Sequence, residues 1–103
     1  MYDMANLKKV RKLGELAPEA FQSFVTFDEA AFQGGVIPLK YKELLAVAVA
    51  LTTQCPYCIE LHAKRAKQAG ATEQELAEAT LVAAALRAGG RDNPRHAYAG
   101  MND

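Results

Sequence analysis

Two thiols, an imidazole and a carboxylate stand at usable spacings: Cys55, Cys58, His62 and, upstream, Glu43. On a helix, residues three and four apart are surface neighbours, so Cys55, Cys58 and His62 form one stripe. Pro56 suits the first turn of such a helix and puts Cys55 at or next to its N-cap. Free backbone N–H groups there stabilise a thiolate. That effect alone is too modest to ionise most of a thiol at neutral pH, and a histidine base beside the sulfur would close the gap. His62 needs an acceptor to orient it. Glu60 points roughly away from it on the helical wheel, whereas Glu43 reaches it if the preceding helix packs antiparallel. A backbone carbonyl is the third choice, and the competing role for Glu43 is an exposed ion pair with Lys40 or Lys42.

The same donors fit other chemistry. Cys55, Cys58 and His62 have zinc-compatible spacing, with Glu43 as a fourth ligand. Against zinc, structural zinc sites usually staple small loop-rich modules, and this chain reads as long helices. A scaffold protein with an unused cysteine pair is a further alternative. A secreted disulfide scaffold is not, because it would spread four, six or eight cysteines along the chain. Tyr57, between the cysteines, either packs against the next helix or donates its hydroxyl to a sulfur or a peroxide oxygen. His96 reads as part of a solvated tail rather than a contribution to a neighbouring subunit's site. Thr53 and Gln54 would satisfy backbone groups at a break between helices.

The elements that must position these residues are helices, since Ala, Leu, Glu, Lys and Gln dominate the segments between glycines and prolines. A first short helix is expected over residues 3–13, stopping near Gly14, with Lys8, Lys9, Arg11 and Lys12 on a solvated face. Pro18 opens a second, ending at Gly34-Gly35. Its Phe21, Phe24, Val25 and Phe32 recur at helical steps, the spacing of a buried stripe that could also line a pocket. Pro38 opens a third through about Thr52, whose run 44–51 is apolar all round, as expected of a central helix. A fourth runs from Pro56 to about Ala69, with Gly70 as its C-terminal cap. Thr72 and Glu75 form a capping box for a fifth, expected to stop at Gly89-Gly90. That helix carries two apolar faces, which suggests burial against a second subunit. Residues 91–103 read as a tail with a turn at Asp92-Asn93-Pro94.

Composition bounds the rest. The chain has 103 residues with 12 basic and 12 acidic side chains, and a net charge of zero argues against general nucleic-acid binding. It is too apolar for a disordered chain, and its longest apolar run is far too short to span a bilayer. No secretory signal is visible at the start, so a cytoplasmic protein is expected. Twenty of the residues are alanine, so the core is thin and partner subunits would add burial. The expectation is one all-α domain over residues 1–103, with its core at about 18–90.

The segments Pro38-Leu39-Lys40-Tyr41-Lys42-Glu43-Leu44-Leu45 and Cys55-Pro56-Tyr57-Cys58-Ile59-Glu60-Leu61-His62-Ala63 resemble the AhpD-type alkylhydroperoxidase branch of the carboxymuconolactone decarboxylase (CMD) family. The intervals from Glu43 to Cys55, to Cys58 and to His62 all agree, and Ala66, Gly70 and residues 71–75 extend the match. The departure is Tyr57, where the best-known members carry a histidine. The resemblance implies an AhpD-like all-α fold assembled as a homo-oligomer, trimer or hexamer, and thiol-dependent reduction of a peroxide substrate. It implies that Cys58 attacks peroxide, that Cys55 resolves the sulfenic acid as a disulfide, and that Glu43 and His62 relay protons. It also implies a dithiol electron donor, such as protein-bound dihydrolipoamide, and no bound flavin or haem; no metal is expected either. Decarboxylase members generally lack the cysteine pair.

Overall fold

The computed structural model describes residues 2–92, with side chains described over 2–89. A 3₁₀ segment, Met4–Lys9, leads into α1 (Val10–Leu16), followed by α2 (Pro18–Phe32), α3 (Leu39–Thr53), α4 (Pro56–Gln68) and α5 (Glu73–Asp92). Among the described residues there is no strand, so the all-α expectation holds. No helix among them is long and apolar enough to cross a membrane.

The helix ends follow the local chemistry of the sequence. Asp3 caps the 3₁₀ segment by accepting from the Ala5 N–H at 2.9 Å. Pro18 and Pro56 sit in the first turns of α2 and α4, where a missing N–H costs nothing. Gly70, with φ of 99°, follows the end of α4, a conformation that L side chains rarely adopt. The Thr72–Glu75 box closes in both directions: the Thr72 N–H donates to Glu75 Oε1 at 2.9 Å and the Glu75 N–H to Thr72 Oγ1 at 3.0 Å.

Two glycine stops are corrected. The first helical stretch runs past Gly14 to Leu16, and Gly14 instead admits Phe21 of α2, whose ring would lie 3.0 Å from an added Cβ. The glycine thus sets a close helix contact rather than a terminus. The fifth helix continues through Gly89 and Gly90 to Asp92. Glycine costs a helix interior only about 1 kcal/mol relative to alanine, which a long alanine- and leucine-rich helix can carry. The expectations for the tail, His96 included, lie outside the described residues, apart from the helical backbone of Arg91 and Asp92.

At the centre α3 packs along α4 and α5, while α2 packs on α1 and meets α3 more lightly. The buried apolar side chains are small: Val47, Ala50, Ala66, Ala71 and Ala83. The expected buried stripe of α2 is therefore only partly realised. Phe21 meets α1 and Phe32 reaches His62, but Phe24 is 62 % exposed. The physical reason is that α2 meets α3 only lightly, so much of the stripe has no helix to cover it. The all-round apolar run of α3 is likewise covered on one side, with Leu45 and Val49 more than half exposed.

Candidate functional site

The site is built at the junction of α3 and α4. At the end of α3, Thr53 Oγ1 donates to the Val49 carbonyl at 3.1 Å, as expected of a residue at a helix break. Gln54 then takes a left-handed conformation, φ 60° and ψ 45°, and the N–H groups of Gln54 and Cys55 both donate to the Ala50 carbonyl. This turn delivers Cys55 to the N-cap of α4, where its sulfur accepts from the Cys58 N–H at 3.3 Å.

Both cysteines are free thiols and half-buried. They are electrostatically unequal. A hydrogen bond from the Cys58 thiol and the backbone N–H groups of the first turn hold Cys55 below the ordinary thiol value. The same thiol–thiol bond, reinforced by burial and the charge of Cys55, pushes Cys58 up to about 11. The pair therefore shares a proton unequally, Cys55 being the sulfur that ionises first and Cys58 the one that keeps its proton longer.

One turn beyond Cys58, His62 meets Glu43. The distance from His62 Nδ1 to Glu43 Oε1 is 2.6 Å, and the two side chains are 14 % and 5 % exposed. A bond from Nδ1 to an ionised carboxylate, which can only accept, leaves the other ring nitrogen, Nε2, outside this pair. Glu43 is thus no exposed lysine partner. Lys40 pairs with Glu75 at 3.1 Å, and Lys42 donates to the carbonyls of Ala31 and Gln33 at the end of α2. Glu60 turns away, as expected, and accepts from the Tyr2 hydroxyl at 2.8 Å.

His62 and Cys58 line one cleft of about 450 Å³, walled by Phe32, Ile37, Leu45 and Val49. A larger groove along the outer face of α2, from Pro18 to Ala30, has Glu19 as its one ionisable side chain, so nothing there matches the chemistry of the cysteine cleft. Tyr57 is placed against the N-terminal segment. Its hydroxyl accepts from the Asp3 N–H at 3.1 Å and from Asn6 Nδ2 at 3.2 Å, and its ring meets Tyr2 edge-on at 4.9 Å. Among the described residues no three His, Cys, Asp or Glu side chains are gathered to hold a metal ion.

Two site residues escaped sequence reasoning in their actual roles. The Phe32 ring stacks on the His62 imidazole, with centroids 5.0 Å apart and planes 11° from parallel. Lys42, read only as a neighbour of Glu43, fastens the end of α2 instead. Neither contact leaves a local signal, because each joins residues that only the tertiary fold brings together.

Comparison with known proteins agrees with this fold. Residues 18–99 match the model of the carboxymuconolactone decarboxylase family. A relative in Paracoccus denitrificans, named uncharacterized protein 4 in cox locus, is 40 % identical over 92 residues, covering 86 % of this chain and 83 % of its own. An uncharacterized protein of Cupriavidus necator is 37 % identical over 70 residues, 68 % of this chain and 62 % of the relative. Among solved structures, a carboxymuconolactone decarboxylase family protein from Legionella pneumophila, in its apo form, superposes with a TM-score of 0.74 at 32 % identity, covering 78 % of this chain and 71 % of that one. A Methanobacterium thermoautotrophicum protein does so at 0.74 and 42 %, over 81 % of this chain and 93 % of its own. The chain carrying this Glu43–His62 pair and cysteine turn belongs to the carboxymuconolactone decarboxylase family.

Proposed function

We propose that the protein is a thiol-dependent peroxide reductase of the alkylhydroperoxidase type. The observation that carries the reading is the buried Glu43–His62 pair, joined at 2.6 Å and lining the same cleft as Cys58. The Cys58 proton passes to the Cys55 thiolate or to Nε2 of His62, and the Cys58 thiolate attacks the terminal oxygen of the hydroperoxide. The O–O bond breaks, the alkoxide takes a proton from the relay, and Cys58 is left as a sulfenic acid. Cys55 then attacks that sulfur; hydroxide leaves and is protonated to water as the disulfide forms. A dithiol donor, such as protein-bound dihydrolipoamide, restores both thiols by exchange. Glu43 charge-balances and orients the imidazole throughout.

The reading includes a homo-oligomer, trimer or hexamer, supported by exposed apolar residues on α3 and α5. It also includes a cytoplasmic setting, where thiols are kept reduced. The test is consumption of an alkyl hydroperoxide with a panel of thiol donors, alongside thiol counting by mass spectrometry. One equivalent of peroxide should convert both thiols to an intramolecular disulfide. Two free thiols after treatment would reject the proposal.

A second reading, dithiol–disulfide exchange without peroxide, is favoured by one specific observation. The sulfur whose ionisation is eased is Cys55 at the helix N-cap, and helix N-termini lower the pKa of exchange-active thiols. The Cys58→Ser protein separates the two. Under the peroxide reading it no longer reacts with peroxide; under the exchange reading Cys55 alone still forms a mixed disulfide at the wild-type rate.

A further inference from the structure

Consecutive residues of α3 converge on one imidazole by different routes. Glu43 reaches His62 directly, with its oxygen 2.6 Å from Nδ1. Lys42 turns the other way and donates from one ammonium to two backbone carbonyls, Ala31 at 2.9 Å and Gln33 at 2.5 Å. Those carbonyls flank Phe32, the last residue of α2, and the Phe32 ring lies nearly parallel to His62. Carbonyls at a helix C-terminus lack intrahelical partners and attract a cation, so the grip is favourable where it stands. It matters here because α2 has little other purchase on α3. Phe24 and Phe27, on the same helix, are 62 % and 70 % exposed, and Phe21 packs on α1, so little of the burial along α2 ties Phe32 to α3.

We propose that Lys42 and Phe32 are positioning residues for His62, a bracket that fixes the imidazole plane while Glu43 fixes its tautomer. The bracket rests on the relay role proposed above for His62. A hydrogen bond at Nδ1 leaves the ring able to swing about that contact, and the stacked phenyl face removes that freedom. Nε2 is thereby held toward the cleft that Cys58 lines. Lys42 acts at one remove, by setting the backbone on both sides of the phenylalanine.

The experiment measures single-turnover oxidation of the reduced full-length protein by an alkyl hydroperoxide against pH. Imidazole nitrogen and ring-proton shifts of His62, from heteronuclear NMR, are recorded on the same samples. Phe32→Leu keeps an apolar side chain and removes the ring face. It is expected to slow oxidation about tenfold at neutral pH, since a slightly misplaced group can cost up to about 10²-fold. Peroxide concentration at half-saturation should change less than about twofold, and the rates should converge with wild type as pH rises and the thiols ionise directly. Phe32→Tyr should retain the wild-type profile. Lys42→Met should show the same kind of defect as Phe32→Leu, and Lys42→Arg should recover most of it. Phe27→Leu, elsewhere on α2, should leave the profile unchanged.

A wild-type rate and pH profile in both Phe32→Leu and Lys42→Met, with the His62 ring-proton shifts of Lys42→Met unmoved, would overturn the bracket. A uniform loss at every pH would overturn it as well, because that is the mark of general structural damage. If Phe32→Leu does not fold, judged by circular dichroism, the Lys42→Met and Lys42→Arg pair decides. The NMR arm separates this inference from the reading it rests on. A wild-type protein inert to peroxide, with the ring-current shift of the His62 protons by the stacked phenyl lost in Lys42→Met, would remove the peroxidase and leave the bracket standing.

Discussion

The two faces of α3 invert the usual placement of polar and apolar side chains. On the inner face Glu43 is 4 % exposed, beside Val47 and Ala50; on the outer face Leu45 and Val49 are 54 % and 59 % exposed. A carboxylate is inside and a leucine outside, on one helix and two residues apart. Burying a carboxylate costs several kcal/mol unless it is paired, and a buried pair seldom adds net stability. The inner face is therefore arranged around His62. The outer face joins Val82 and Leu86 of α5 in a second apolar groove of about 470 Å³. An apolar surface of this kind is a contact waiting for another surface. The inner face serves the proposed relay, and the outer face, whose Leu45 and Val49 also wall the cysteine cleft, is the one proposed to meet another subunit.

The largest expected effects break the inner face. His62→Ala should slow oxidation of Cys58 at neutral pH by about 10²–10⁴-fold, the usual worth of a positioned base. Glu43→Gln should show a smaller defect of the same shape, with both partly restored at high pH. Cys58→Ser should abolish reaction with peroxide, and Cys55→Ser should stop at a sulfenic acid trappable by a dimedone-type reagent. Alkylation of the wild-type pair followed against pH should show one thiol ionising below the ordinary range and the second near pH 11. A single transition at the ordinary thiol value would remove the shared proton, and an unchanged pH profile in His62→Ala would remove the histidine.

Stability provides the next contrast. Glu43→Ala leaves the buried His62 Nδ1–H without its acceptor and should cost about 1–3 kcal/mol, as an unsatisfied buried donor does. Replacing both members, Glu43→Leu with His62→Leu, should recover that loss or exceed it by about 1–4 kcal/mol while leaving no relay. Urea melts of the three proteins measure this. If the double variant is the least stable of them, the pair is a structural element, and the account of the inner face fails.

On the outer face, Val49→Glu and Leu86→Glu should each disperse an assembly into smaller species without lowering the helix content. Light scattering at micromolar concentration reads the change. A wild-type monomer under those conditions would end the comparison, because the exposed apolar face would then have no partner.

Sequence reasoning was strongest where the causes are local. Cys55 as N-cap, Pro56 in the first turn, the Thr72–Glu75 box and the Gly70 terminus depend on residues within four positions of each other, and all stand where expected. Glu43 meeting His62 required a tertiary guess, but the short α3–α4 connection leaves α4 packed along α3. The helix stops at Gly14 and Gly89-Gly90 failed because glycine also serves close approach and is tolerated in a strong helix. The phenylalanine stripe was only partly realised, for another reason. Periodicity shows which residues share a face, but not how much of that face its neighbours cover. Phe32 and Lys42 were invisible as positioning residues because their partners lie on other helices.

The smallest expected effect lies in the turn that joins the two faces. Gln54 holds φ at 60°, a region that costs a side-chain-bearing residue about 1–2 kcal/mol and glycine almost nothing. Gln54→Gly removes that strain but adds freedom to the unfolded chain, worth roughly 0.4–1 kcal/mol the other way. The net should be a gain of about 0.5 kcal/mol, or about 2–4 °C in Tm for a domain of this size. The same substitution loosens the residue that delivers Cys55 to its cap, where the sulfur accepts from the Cys58 N–H at 3.3 Å. Alkylation of Cys55 should therefore require a slightly higher pH in the variant, since the donor is less firmly aimed. Thermal melts and alkylation kinetics on one preparation test both halves. A stabilised protein with unchanged alkylation would mean that the left-handed turn is a connection only. A destabilised one would mean that the glutamine side chain contributes more than its backbone strain removes.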